Sequence, residues 1–301
     1  MRLDLRDLWR RHRWLVLILA VGGLLRLLPL LLWPGQGCTR DECTYQSIAR
    51  GIVAGHGMTA PEEWLWAPGY PYLLALSLAT TGSDEAVKWL QVWASLASMV
   101  ALWRIGSRVG DERVGWLAAT MYAVHPTFVY FTGTLWSEVL YSCLLLFAVW
   151  SLLWSREGRA SRAVVPGLLI GTCVLFRGVA TYMAPVFALA VVWPDPGVPW
   201  REAVRSRLGH AAGLVLAAVL TVAPYSVSAS LSHGGFMISD GTLGQMMWLG
   251  NNDYEPITFD YGNGLLQGAA YIPNTRLGRS HCAKSLPAAQ WDACERERGV
   301  A

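Results

Sequence analysis

The chain predicts an all-α integral membrane protein, with about seven transmembrane helices and juxtamembrane helices in the first exported loop. Three observations carry this. The 301 residues are 53% hydrophobic and 15% charged, with a mean hydropathy of +0.33, whereas a soluble domain carries about 25% charged residues. Apolar stretches long enough to cross a bilayer recur along the chain. Arginines fall into alternate loops, as the positive-inside rule requires. The formal net charge is +3, and there is no polybasic patch of the kind a nucleic-acid partner needs.

Taken in order, Arg2, Arg6, Arg10, Arg11 and Arg13 lead into an apolar run over 14–33. That run is too long for a signal-peptide core and no small-residue cleavage site follows, so it reads as a retained first span. Residues 43–58, CTYQSIARGIVAGHGM, read as a short amphipathic helix on which Asp41, Tyr45, Ile48 and Ile52 share a face. Residues 67–81 begin APGYPY and are too short for a span, which suits an interfacial or re-entrant helix. Spans follow at 86–106, 114–131 and 137–154. His125-Pro126 within the third reads as a kink. The segment 163–193 exceeds one span and is interrupted by Phe176-Arg177-Gly178, so it reads as two short helices with Arg177 at their turn. The last span is 210–227.

This count puts Arg104, Arg108 and Arg113, then Arg156, Arg159 and Arg162, then Arg201, Arg205 and Arg207 on the side of the N-terminus, which is therefore cytoplasmic. The opposite loop, 34–85, holds Arg40 and Arg50 against Asp41, Glu42, Glu62, Glu63, Asp84 and Glu85. Trp14, Trp33, Trp136, Trp154 and Trp193 stand at span ends, as an interfacial belt does. Residues 1–227 read as the transmembrane domain, with the loop at 34–85 as its catalytic face. Residues 228–301 read as an exported, incomplete segment of a longer protein. Cys38 and Cys43 fall in the exported loop, while Cys143 and Cys173 fall inside spans as small apolar residues. Cys282 and Cys294, in the exported tail, are placed to pair in an oxidising compartment. No CxxC or paired-histidine spacing marks a zinc site.

The exported face gathers the chemistry. Thr39 and Glu42 spell a capping box, and Asp41 in the first turn complements the helix dipole. An adjacent acidic pair at a bilayer surface can equally bind a metal or take a proton. Glu138 opens the fourth span, as a dipole-complementing charge or as a functional carboxylate. Arg177 in a long apolar run is a functional candidate, with snorkelling as the alternative. Arg26 in the first span reads as a snorkelling side chain or as a partner of an exported carboxylate. His56, between glycines, is a solvated turn residue or a phosphate contact. Trp64 and Trp66 anchor to lipid or stack on a sugar. Carboxylates for a metal and a base, with an arginine for an anion, suit displacement of a phosphate leaving group.

These residues fall in a recognisable order. DExxYxxxAR is met by Asp41, Glu42, Tyr45, Ala49 and Arg50, followed by Gly55 and Gly57; then come APGYPYLLAL, Glu138, LFRG with Arg177, and Gly250-Asn251-Asn252. The chain so resembles the GT-C lipid-sugar glycosyltransferases, in the bacterial family 39 branch related to protein O-mannosyltransferases and to the aminoarabinose transferase of lipid A. The resemblance implies a multi-pass transferase of the inner (cell) membrane. It would move a sugar from a polyprenyl-phosphate donor to an exported hydroxyl on protein, lipid or glycan, with inversion. It implies catalytic roles for Asp41, Glu42 and Glu138 and a divalent metal at Asp41 and Glu138. It further implies a donor-phosphate contact from Arg177; Arg26 and His56 stand as further candidates for that phosphate, and Tyr45, Trp66, Tyr70 and Asn251 as candidates for substrate contacts. The aminoarabinose branch carries a lysine just before the juxtamembrane proline, where this chain has Ala67, so that sugar is not singled out. A transporter or lipid-carrier flippase is the rival reading, since Arg177 at a helix break is also a transporter feature.

Overall fold

The computed structural model describes residues 5–32, 38, 41–58, 65–155, 160–233, 235–241, 258–260 and 265–267. Its helices are α1 (Leu5–Leu32), α2 (Asp41–Val53), α3 (Gly69–Thr81), α4 (Glu85–Val109), α5 (Glu112–Val124), α6 (Pro126–Gly133), α7 (Glu138–Ser155), α8 (Val164–Phe176), α9 (Met183–Val192) and α10 (Trp200–His233). Two short strands, Thr258–Asp260 and Leu265–Gln267, pair antiparallel. This hairpin is an addition to the all-α expectation. The chain divides into two compact units. One is Met1–Gly57 with Gly69–Thr221, and the other is Met58–Pro68 with Val222–Ala301.

Three helical stretches are long and apolar enough to cross a membrane: Arg13–Leu32, Glu138–Ser155 and Trp200–Ser232. Ser161–Phe176 and Gly178–Val192 are apolar but shorter, and they are the two halves expected around Arg177. Arg177 itself is extended, with φ −155° and ψ 122°, and ends α8. The stretch 114–131 is not one kinked helix but two helices. Pro126 has no N–H to give and pushes the residue before it out of the helical region. His125 accordingly sits at φ −67° and ψ 122°. Its Nδ1 accepts from Thr127 N at 3.3 Å and so caps α6.

That break accounts for Arg26. Pro126 cannot donate to Tyr122 O, and Thr127 N is taken by His125, so the last carbonyls of α5 lack their helical donors. Arg26 on α1 supplies them. Its Nη2 donates to Tyr122 O at 3.1 Å and its Nη1 to Ala123 O at 2.8 Å, with Gly22 O at 3.0 Å. Nε donates to Ser95 Oγ on α4 at 2.6 Å, and the guanidinium lies 5.5 Å from the Tyr122 ring centroid. The side chain is fully buried. The snorkelling reading is therefore corrected: Arg26 faces inward because a proline leaves it two carbonyls to satisfy.

Around this knot, Met99, Trp103, Ala119, Tyr122 and Ala123 join α4 and α5, with α1 residues packed against them. A second core forms among α7, α8, α9 and α10, including Ala148, Ile170, Phe187 and Leu214. There, Gly167 and Gly171 let α8 lie directly on α10. A Cβ at Gly167 would fall against Leu214 O, and one at Gly171 would lie 2.8 Å from Ala218 O. Trp14, Trp154 and Trp193 are exposed, as an interfacial belt needs, whereas Trp136 is half-buried and Trp33 lies outside the described residues. Arg13, Arg104 and Arg162 lie over the rings of Trp14, Trp103 and Trp154.

Candidate active site

α2 begins at Asp41, and its buried face is Glu42, Tyr45, Ile48 and Ala49. Tyr45 and Ile48 are buried as the sequence predicts, but at the two ends of the face Glu42 and Ala49 are buried in place of Asp41 and Ile52, which lie at its edge. Glu42 Oε1 accepts from Leu135 N at 3.0 Å. Its partner across the fold is thus the turn before α7. Thr39, the other half of the expected capping box, lies outside the described residues. A disulfide joins Cys38 to Cys43 and closes a ring around Asp41 and Glu42. The sequence places both cysteines in one loop but offers no ground for pairing them. Cys282 and Cys294 lie outside the described residues.

The helix ends in a Schellman motif. Gly55 N donates to Ile52 O and His56 N to Gly51 O, both at 3.0 Å, and Gly55 has φ +85°, a conformation that excludes most side chains. The glycine turn of the signature is thus a helix stop. It leaves the His56 side chain exposed.

Tyr45 occupies the centre. Its ring meets that of Tyr70 edge-on, with centroids 4.8 Å apart, and its hydroxyl lies 3.4 Å from Ser137 Oγ. Burial pushes the Tyr45 phenol up to about 12; Ser137 and Arg177 act against this, while Glu138 and Asp41 add to it. Tyr45 therefore stays neutral at any physiological pH. Tyr70 is fully buried. Its hydroxyl donates to Gln91 Oε1 at 2.8 Å, and burial holds that phenol well above its ordinary value.

Glu138 opens α7, and Arg177 stands at the break between α8 and α9. The Arg177 guanidinium pairs with Glu138 Oε1, and both side chains are partly exposed. The two residues read separately from the sequence thus form one ion pair. The pair is reachable from outside the fold, so neither charge is sealed in. Glu42, Tyr45, Glu138 and Arg177 come together in this way, with Asp41 at the edge. Arg26 is occupied elsewhere and His56 is exposed beyond the end of α2. Trp66 is half-buried in the other unit, and Asn251 lies outside the described residues, as does Trp64.

Among the described residues no three His, Cys, Asp or Glu side chains come together to hold a metal. Glu42 and Glu138 already accept from Leu135 N and Arg177. This donor set fits no preformed cage. At most it would suit a hard cation held by one or two carboxylates, with its remaining oxygen ligands from outside the chain.

Helices of membrane-spanning length, with Glu138 at the start of one and paired to Arg177 at the end of a shorter apolar helix, define a membrane protein with a polar site beside its apolar body. Residues 66–227 match the family described as dolichyl-phosphate-mannose-protein mannosyltransferase. The match covers more than half of the chain, which belongs to this family. The matched stretch includes Glu138 and Arg177 and begins after Asp41. The undecaprenyl phosphate-alpha-4-amino-4-deoxy-L-arabinose arabinosyl transferase of Pseudomonas aeruginosa strain UCBPP-PA14 is similar, with 27% identity over 240 residues, 73% of this chain and 41% of that protein. The protein of the same name from strain LESB58 is 27% identical over 233 residues, 70% of this chain and 40% of that protein. The chain thus spans about two fifths of the length of these curated relatives. The resemblance expected from the ordered motifs holds at the level of family.

Proposed function

We propose that this chain carries the donor-binding side of a membrane glycosyltransferase that moves a sugar from a polyprenyl-phosphate carrier to a hydroxyl acceptor outside the cytoplasm. The observation that carries this is the Glu138–Arg177 ion pair, whose charges act, with that of Asp41, on the buried phenol of Tyr45. Arg177 grips the donor phosphate and neutralises the charge that develops as it leaves. Asp41 accepts the proton of the attacking hydroxyl. Attack opposite the departing phosphate inverts the anomeric carbon. Glu138 holds the guanidinium in place before the donor arrives. A divalent cation, where present, would be held by Asp41, Glu138 and the donor phosphate, and would supply Lewis-acid stabilisation of the leaving group. Arg26 is left out of the donor site, since its guanidinium already serves four oxygens. The match is to a transferase family, which favours the enzyme over a transporter.

Arg177→Ala is expected to weaken binding of a short-chain polyprenyl phosphate by at least tenfold while leaving accumulation and melting temperature close to those of the parent. Arg177→Lys should restore part of the affinity, because a point charge lacks the planar fork. Unchanged affinity in Arg177→Ala removes the residue from the donor site. Release of product from a radiolabelled polyprenyl-phosphate sugar, by membranes holding the full chain, tests the activity as a whole.

The proposed topology has seven spans in the cell membrane, with the N-terminus in the cytoplasm and the site on the exported face. It rests on the arginine asymmetry. A cysteine placed at position 60 is expected to react with an impermeant reagent from outside, and one at position 158 is not. The reverse pattern would put the acidic loop in the cytosol and sink the placement.

A further inference from the structure

Gln91 is fully buried on α4, a neutral amide in a mostly apolar helix. Such a group is tolerated only if its donors and its acceptor are all used, and here they are. Nε2 donates to Thr134 O at 2.7 Å and to Thr132 O at 3.1 Å, with Phe131 O at 3.4 Å. Oε1 accepts from the Tyr70 hydroxyl at 2.8 Å. The three carbonyls belong to the end of α6 and the residue that caps it. The last carbonyls of a helix lack intrahelical donors, and α6 is only eight residues long, too short to hold its own geometry. Gln91 is the cap that α6 lacks.

The turn after α6 is held from the opposite side as well. Glu42 accepts from Leu135 N, and Tyr45 meets Ser137. Side chains from two helices, α2 and α4, thus fix the segment 134–137, and the next residue is Glu138.

We propose that Gln91 is a positioning residue of the transfer site: by holding the α6–α7 turn it sets where α7 begins, and thereby orients Glu138 toward Arg177. The proposal rests on the reading of the Glu138–Arg177 pair as the donor-phosphate grip. Gln91 itself touches neither donor nor acceptor. Its amide is shielded by Tyr70 on one side and by the turn on the other.

The test compares transfer kinetics in membranes holding the full chain. Gln91→Leu removes both donors and the acceptor at similar size. It is expected to insert and accumulate, with kcat at saturating donor lowered about 10- to 100-fold, the scale set by a displacement of about 1 Å in a reacting geometry. Tyr70→Phe removes only the hydroxyl that orients the amide, and it should lower kcat in the same direction by less. The distinguishing readout is the combination with Glu138→Asp. If Gln91 acts through Glu138, Gln91→Leu adds little to the loss already caused by Glu138→Asp. A loss from general weakening of the fold multiplies instead. Parental kcat in Gln91→Leu, or full multiplication in the double variant, overturns the proposal. Should Gln91→Leu fail to accumulate, Tyr70→Phe alone and combined with Glu138→Asp decides between the same two outcomes. If Arg177→Ala and Glu138→Asp are both without effect, the reading of the site falls and this inference with it. If they matter and Gln91→Leu does not, only the positioning role is lost.

Discussion

Asp41→Asn is expected to insert and accumulate as the parent does, yet to lose on the order of 10²–10⁴ in transfer rate, the usual cost of removing a general base. Asparagine keeps the size and one carbonyl acceptor but not the charge or the basic lone pairs. If Asp41 only complemented the dipole of α2, its loss would cost about 0.3–1 kcal/mol of stability and leave turnover intact. The two roles thus forecast different assays. Glu42→Gln should do less harm, because the glutamine carbonyl can still accept from Leu135 N across the fold. Near-parental turnover in Asp41→Asn would take this residue out of the chemistry and leave Arg177 and Glu138 as the remaining functional pair.

The second large effect is expected at a residue with no part in the chemistry. Arg26→Met should be poorly stable, because Tyr122 O and Ala123 O would lose their donors inside the apolar body. A buried acceptor left without a partner costs about 1–3 kcal/mol, so two cost about 2–6 kcal/mol, offset in part by no longer burying the charge. The measurement is the melting temperature of the purified protein in detergent, alongside the yield of inserted protein. Arg26→Lys should fall between, since an ammonium cannot span both carbonyls with the geometry of a planar fork. An unchanged melting temperature in Arg26→Met would show that the helix break is satisfied by other means. Donor affinity in Arg26→Lys should match the parent, in contrast to Arg177→Lys.

Arginines 26 and 177 mark the limits of what a sequence can say. Apolar runs announce helices because the period of burial is local, and the boundaries of α4, α7 and the α8–α9 break fall close to where the runs end. Glu138 and Arg177 are each legible as a charge where charge is costly. Their pairing is not, because 39 residues separate them and no local pattern encodes the meeting. Arg26 misleads for a related reason. An arginine near a span end has a cheap local solution in the interface, and only the distant proline makes the inward orientation favourable. Gln91 gives no signal at all: an uncharged polar residue in an apolar helix is common, and its partners lie 21 residues behind and 40 to 43 residues ahead. The rotation of α2 that buries Glu42 instead of Asp41 is a matter of one residue, finer than an apolar pattern can fix when the face is so short.

The Arg26 knot also constrains how the protein is made. Arg26 leaves the ribosome 96 and 97 residues before the carbonyls it serves. At about 5–20 residues per second that is a delay of roughly 5–20 s, during which the first helix must enter the bilayer with its guanidinium unmatched. At the middle of a span an arginine costs about 2.5–3.5 kcal/mol to insert, and Arg26, nearer the end of its span, costs less. The stretch Arg13–Leu32, with a hydropathy of 2.5, is apolar enough to carry that load. Until its partners are made, an outward orientation toward the interface is the cheapest one open to the side chain. Only once α4 and α5 are complete are Ser95 Oγ and the carbonyls of Tyr122 and Ala123 there to receive it.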